Sequence, residues 1–216
     1  MDLFTSRYFD KANEVGIVPV VCPKNESELL TLLDAVKASP VRCVEITLRN
    51  AYSTEAIAYI KKNCPDITVG AGTVNSLAGF EKAMSAGADF LVSPGTLDES
   101  VEQAKIQSVP FLHGCVTPSE ILKLTSQGYT TLKFFPAEGA GGVKTLNLYA
   151  GAFADVHFIP TGGITVDNLG DYLKCKNVLA CGGSFMAPKE LLAAGDREGV
   201  YKLIEKCVAI RKESRK

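Results

Sequence analysis

The sequence predicts an α/β protein, a closed (β/α)8 barrel of the TIM type with an extra N-terminal helix. Three observations carry that reading. Eight short runs of strand-forming residues recur about every 20–27 residues. Stretches of helical periodicity separate them, the order expected of parallel strands covered by helices. The 216 residues suffice for such a barrel, at the small end of its size range. An open doubly wound sheet is the competing arrangement.

In chain order, residues 2–15 read as a helix that closes the lower end of the barrel. The strand-like runs are 17–21, 43–47, 68–71, 90–92, 110–112, 131–135, 157–160 and 178–181. Residues 25–38 read as a helix with Leu29, Leu32, Leu33 and Val36 on one face. Asn25 opens it, with Glu28 three residues on. A second helix, 117–127, opens on Thr117-Pro118-Ser119-Glu120, a capping box with proline at the first helical position. Gly87 and Gly128 fall where helices should stop. Residues 196–213 read as a longer last helix. No Pro/Gly/Ser-rich linker interrupts the series, so residues 1–216 are expected to form one barrel domain.

Composition narrows the function. Hydrophobic residues at 46% against 22% charged describe a soluble globular protein, and the formal net charge of −1 offers no footprint for nucleic acid. No apolar run is long enough to span a bilayer. Asp2, Arg7, Asp10 and Lys11 break up the first residues, so a signal peptide is not expected and a cytoplasmic location is. Seven cysteines without a Cys-x-x-Cys read as reduced core residues. Two isolated histidines, His113 and His157, make a histidine-rich metal site improbable on this sequence. No metal and no separate cofactor are expected.

In a barrel of this type the chemistry lies at the C-terminal ends of the strands. Here those ends are rich in glycine and small hydroxyl residues. After strands seven and eight come Thr161-Gly162-Gly163-Ile164 and Gly182-Gly183-Ser184. Those two loops form the recurrent phosphate site of such barrels, where glycine exposes backbone N–H groups to an anion. Gly162, Gly163, Gly182, Gly183 and Ser184 are the candidates, with Ser184 as hydroxyl donor.

Lys133 sits inside the otherwise apolar run 131–136. Burying an ammonium costs several kcal/mol unless it is paired or gives up its proton. A neutral amine can form a Schiff base with a ketone. Alternation along strand two places Cys43, Glu45 and Thr47 on one face and Val44 and Ile46 on the other. The apolar pair suits the helices, so Glu45 points inward. On strand six, Thr131, Lys133 and Phe135 share a face and are assigned inward too. Glu45 and Lys133 then meet near the mouth, with Arg49 just past the strand end, where its fork suits a carboxylate. An imine-forming lysine, a proton-transfer carboxylate, an arginine and a distal phosphate cradle together describe a phosphorylated 2-keto acid as substrate.

The segments Glu45-Ile46-Thr47-Leu48-Arg49, Gly70-Ala71-Gly72-Thr73, Ser93-Pro94-Gly95, Lys133-Phe134-Phe135-Pro136-Ala137-Glu138, Thr161-Gly162-Gly163-Ile164 and Gly182-Gly183-Ser184 occur in this order. Together they resemble the 2-keto-3-deoxy-6-phosphogluconate (KDPG) aldolase family. The resemblance implies a class I lyase that cleaves KDPG to pyruvate and glyceraldehyde 3-phosphate, often also 4-hydroxy-2-oxoglutarate to pyruvate and glyoxylate. It implies a homotrimer of barrels. It assigns the Schiff base to Lys133 and acid–base transfer, through water, to Glu45. Arg49 and Thr73 hold the pyruvate carboxylate, Pro94 and Phe135 shape the pocket, and Thr161 meets the polyol. His113 departs from the pattern, since many relatives carry proline there. Arg49 and Thr161 together favour the gluconate over the galactonate type.

Other readings stay open on the sequence alone. A phosphosugar epimerase or isomerase, or a non-catalytic phosphosugar-binding barrel, would keep the phosphate loops without needing an imine-forming lysine. A metal-dependent aldolase would need more ligands than two histidines provide.

Overall fold

The computed structural model describes residues 12–215. Of the expected N-terminal helix, residues 12–15 are helical and the remainder lies outside the described residues. The strands are β1 (Ile17–Val21), β2 (Cys43–Thr47), β3 (Thr68–Gly72), β4 (Phe90–Val92), β5 (Phe111–Leu112), β6 (Gly114–Cys115), β7 (Thr131–Phe134), β8 (His157–Pro160) and β9 (Cys181–Gly183). The helices between them are α1 (Glu26–Ala38), α2 (Ser53–Asn63), α3 (Leu77–Ser85), α4 (Asp98–Ile106), α5 (Pro118–Thr125), α6 (Gly142–Ala152) and α7 (Leu169–Lys174). Two more, α8 (Lys189–Ala193) and α9 (Arg197–Ser214), follow the last strand.

Local signals set the ends of several helices. Asn25 caps α1 by accepting the Glu28 N–H, while the Glu28 carboxylate accepts the Lys24 N–H at 2.9 Å. Thr117 and Glu120 form the reciprocal capping box of α5, with Pro118 at its start. Asp196 caps α9 through the Gly199 N–H.

All strand pairings are parallel, in a six-stranded sheet ordered β5-β4-β3-β2-β1-β9 and a three-stranded sheet ordered β6-β7-β8. The sheets adjoin at two places. Residues 111–112 pair with β4, and residues 114–115, one residue further on, pair with β7. Val178 bridges β8 at Phe158, and Thr161 bridges Gly182 in β9, which pairs with β1.

The sequence expectation needs two corrections. The fifth run is two short segments around His113, because its first half follows β4 and its second half follows β7. The last strand is Cys181–Gly183 rather than 178–181. Residues 178 and 179 are engaged with β8, and the register with Ile17–Pro19 starts only at Cys181. Gly182 and Gly183 are therefore strand residues and not part of the loop beyond it. Cross-strand register has overridden the poor strand propensity of a Gly-Gly pair.

The core has two parts. One face of the strands packs against the helices in a large apolar cluster that includes Val44, Ile46, Val69, Leu91 and Leu132. The other face turns toward itself. Val18, Cys43, Phe90, Val92, Leu112 and Ile159 form a smaller cluster joined by Ala12 from the segment preceding β1. Inner-face residues of strands from both sheets pack on one another, so the strands curl around this second cluster.

Candidate active site

The inner face carries the polar residues. In register, Glu45 stands between Val20 of β1 and Gly70 of β3. Lys133 stands opposite Ile159, a member of the inner cluster. Lys133 Nζ lies 3.8 Å from Glu45 Oε1, with side-chain exposures of 7% and 5%. These are the two ionisable side chains that period-two alternation assigns inward, and the structure brings them together. Among the described residues Oε1 of Glu45 has no hydrogen-bond partner. The separation exceeds a contact ion pair by about 1 Å. Lys133 Nζ also lies 5.2 Å from the centre of the Phe135 ring.

Just beyond the ends of β2 and β3, Arg49 Nε donates to Thr73 Oγ1 at 3.0 Å. Thr73 has φ +62°, a left-handed conformation unusual for a β-branched residue. Such strain belongs where surrounding structure over-determines the backbone, and here it turns the hydroxyl to the arginine. Arg49 is exposed and Thr73 half-buried, so the pair borders the open end of the strands. Half-buried Pro94 lies after β4, beside Ser93, whose hydroxyl meets the Gly95 carbonyl.

Beyond β8, Thr161 is buried and faces Gly182, where a Cβ would come within 2.7 Å of its hydroxyl. Gly162 and Gly163 follow with φ +101° and +81°, a turn that side-chain-bearing residues adopt only under strain. The loop after β7 supports this turn. Ala137 N–H donates to the Thr161 carbonyl at 2.9 Å and Glu138 N–H to the Gly162 carbonyl at 3.0 Å. Asn168 Nδ2 donates to the Gly163 carbonyl. Ser184 is exposed and opens a 3-10 turn directly after β9. The Thr161–Gly182 bridge thus brings the two glycine segments side by side.

Sequence reasoning missed several supports. Gly72 leaves the space that the Glu45 carboxylate fills. Tyr172, buried on α7, donates its hydroxyl to the Glu138 carboxylate. Its phenol is raised above the ordinary range by burial, then by that hydrogen bond. A Cβ on Gly163 would come within 2.6 Å of the same Glu138 side chain. Alternating glycines in β3 were the one available signal, and only for Gly72.

His113 lies elsewhere. It belongs to the outer face, stacked on Phe111 at 4.1 Å and edge-on to Tyr129 at 4.6 Å. It therefore does not form the floor of the pocket. Among the described residues no group of three or more His, Cys, Asp or Glu side chains is arranged to hold a metal ion. No helix among them is long and apolar enough to cross a membrane.

The inner face of this parallel α/β fold thus holds a buried lysine beside a carboxylate, with an arginine–threonine pair and two glycine segments beyond or at the strand ends. The family model described as KDPG and KHG aldolase matches residues 9–203, and the chain belongs to that family. It is 39% identical over 199 residues to a 2-dehydro-3-deoxy-phosphogluconate aldolase of Pseudomonas aeruginosa, covering 92% of this chain and 90% of the relative. It is 40% identical over 192 residues to a KHG/KDPG aldolase of Escherichia coli, covering 89% and 90%. A crystal structure of KDPG aldolase from Legionella pneumophila, with pyruvate captured as a covalent carbinolamine, superposes with TM-score 0.87 at 32% identity. That match covers 95% of this chain and 98% of the other.

Proposed function

We propose that this protein is a class I aldolase that cleaves KDPG to pyruvate and glyceraldehyde 3-phosphate, and 4-hydroxy-2-oxoglutarate to pyruvate and glyoxylate. The observation that carries the reading is the inward-facing Lys133, buried 3.8 Å from Glu45 on the inner face of the strands. The covalent pyruvate carbinolamine in the Legionella relative supports the same chemistry.

The Lys133 amine attacks the C2 carbonyl, and loss of water from the carbinolamine leaves a protonated imine. Deprotonation of the C4 hydroxyl breaks the C3–C4 bond, and the electron pair moves into the imine as an enamine. The aldehyde leaves, C3 takes a proton, and hydrolysis releases pyruvate and the free amine. Glu45 takes and returns these protons. A water relay is assigned to it, as the family resemblance implies. Arg49 and Thr73 hold the substrate carboxylate, Pro94 and Phe135 bound the pyruvyl part, and Thr161 meets the polyol. Gly162, Gly163, Gly182, Gly183 and Ser184 receive the phosphate. The adjacency of Thr161 and Gly182 supports this assignment. Imine chemistry stabilises the carbanion with the protein's own amine, so no metal or separate cofactor is assigned.

The pairings of β5 with β4, β6 with β7, and β9 with both β1 and the β8 edge support a closed (β/α)8 barrel in one domain. We further propose a homotrimer, as the family resemblance implies, and a cytoplasmic location. Seven free cysteines, six of them buried, suit a reducing compartment.

The test is incubation with pyruvate and borohydride followed by peptide mapping. One reduced pyruvate adduct per chain is expected, on the peptide containing Thr131-Leu132-Lys133. An adduct on another lysine, or none in an active preparation, removes the mechanism.

A further inference from the structure

Strand β3 turns two glycines to the face it shares with Glu45, and they leave room for different things. Gly70 stands opposite Glu45 in register, and Gly72 opposite Thr47. A Cβ built on Gly70 would lie 2.7 Å from Cδ2 of the Phe90 ring. A Cβ built on Gly72 would lie 2.7 Å from Cδ and 2.8 Å from Cγ of Glu45, with Oε1 nearer still. Neither glycine has a left-handed backbone, so what matters at both is the missing side chain. Glu45 therefore folds over β3 into the volume that a side chain at 72 would occupy. In that pose Oε1 is buried, without a hydrogen-bond partner among the described residues, and 3.8 Å from Lys133 Nζ.

We propose that Gly72 is a positioning residue, whose bare backbone lets Glu45 rest against β3 at a stand-off from the Lys133 amine. The inference rests on the reading of Lys133 as nucleophile and Glu45 as proton carrier. With a methyl group at 72, Glu45 must leave β3 and cross the inner face. A contact ion pair forms at about 2.7–2.9 Å and favours the charged form of an amine. An ammonium cannot attack a carbonyl, and a carboxylate locked to it is withheld from substrate. Gly72 keeps the two groups close enough to share a proton relay and short of a contact ion pair.

The test compares purified Gly72→Ala, Gly70→Ala, Glu45→Asp and the Gly72→Ala/Glu45→Asp double variant with the parent. The readouts are kcat with KDPG across pH and borohydride trapping with pyruvate. Gly72→Ala should still give the Lys133 adduct, lose about ten- to a hundredfold in kcat, and shift the acid limb of its pH profile upward. That loss is part of the ~10²–10⁴ that general acid–base help supplies. Gly70→Ala should lower thermal stability and leave the shape of the pH profile unchanged. Glu45→Asp shortens the crowded side chain by one methylene, so the double variant should lose less than the two single losses combined. If Gly72→Ala alone does not fold, recovery of folding and adduct in the double variant supports the proposal, and its failure overturns it. Parental kcat and pH profile in folded Gly72→Ala, or strictly additive losses in the cycle, also overturn it. A parent that gives no Lys133 adduct, or a Glu45→Gln variant with parental turnover, overturns the underlying mechanism and this inference together. A parent that traps on Lys133 beside a Gly72→Ala variant of unchanged rate overturns the inference alone.

Discussion

Lys133 and His113 are neighbours across one backbone hydrogen bond, 2.8 Å from the Lys133 N–H to the His113 carbonyl. Both are buried ionisable residues, Lys133 within β7 and His113 between β5 and β6. They nevertheless face opposite ways. Lys133 shares the inner face with Ile159 and meets a carboxylate. His113 shares the outer face with Phe111, and neither ring nitrogen finds a hydrogen-bond partner among the described residues. Burial alone therefore does not mark chemistry. The face of the strand and the partner on it decide whether a buried ionisable group works on a substrate or fills space.

The largest effect separating these two residues is expected at Lys133. Lys133→Met keeps the length and the apolar stem but removes the amine. Turnover of KDPG should fall by at least ~10⁴-fold, since the covalent route is gone. Borohydride with pyruvate should leave no adduct, and circular dichroism should show a folded protein. More than about a hundredth of parental turnover would place the nucleophile elsewhere and dissolve the contrast with His113.

Next comes the partner. Glu45→Gln keeps shape and hydrogen-bonding capacity but cannot take a proton. A loss of ~10²–10⁴ in kcat is expected, with the reduced adduct still forming on Lys133. Near-parental turnover would reduce Glu45 to a counter-charge, and Lys133 would differ from His113 only in having one.

How far the sequence could be read depended on the range of the signal. Alternation along β2 and β7 is local, so the facing of Glu45 and Lys133 was legible from residues 43–47 and 131–135. The caps of α1 and α5 are local in the same way. The split of the fifth run at His113 was not, because it reflects a change of pairing partner from β4 to β7. Nor was the start of β9 at Cys181, which its register with Ile17 sets. The outward facing of His113 follows from Phe111 and Leu112, two short strand residues whose assignment needed the sheet. Gly72 lies among small residues near the mouth, but the reach of the Glu45 side chain over it is a diagonal cross-strand contact that no spacing along the chain encodes.

A smaller effect is expected at the edge of the site. Ser184→Ala removes one hydroxyl donor to an anion, and a hydrogen bond to a charged group is worth ~1.5–3 kcal/mol. KDPG should lose roughly ten- to a hundredfold in kcat/KM. Turnover of 4-hydroxy-2-oxoglutarate, which carries no phosphate, should stay within about twofold. Equal losses on both would make Ser184 a general support of the rim. No loss on either would move the phosphate away from β9.

The smallest effect on catalysis is expected at His113, where the change appears in stability instead. Burial lowers its imidazole from the ordinary 6.5 to about 3, with a lesser push from Lys105. The folded protein thus holds the ring neutral at pH values where the unfolded chain binds a proton. Stability tied to His113 is fully present above about pH 6.5 and is lost as pH falls from there toward about 3. Between pH 7.5 and 5 the unfolded state gains about 1.5 pH units of protonation, roughly 2 kcal/mol at 1.36 kcal/mol per unit. His113→Leu keeps a similar volume between Phe111 and Tyr129 and has no proton to bind. Urea unfolding at the two pH values should show the parent losing about 2 kcal/mol more than the variant. At pH 7.5 the variant's kcat should match the parent's within about twofold. Parallel losses of stability would mean that the ring already titrates in the folded protein. A large fall in kcat would mean that the outer face reaches the chemistry through the shared hydrogen bond to Lys133. In either case the division of labour between the two faces of this sheet would have to be redrawn.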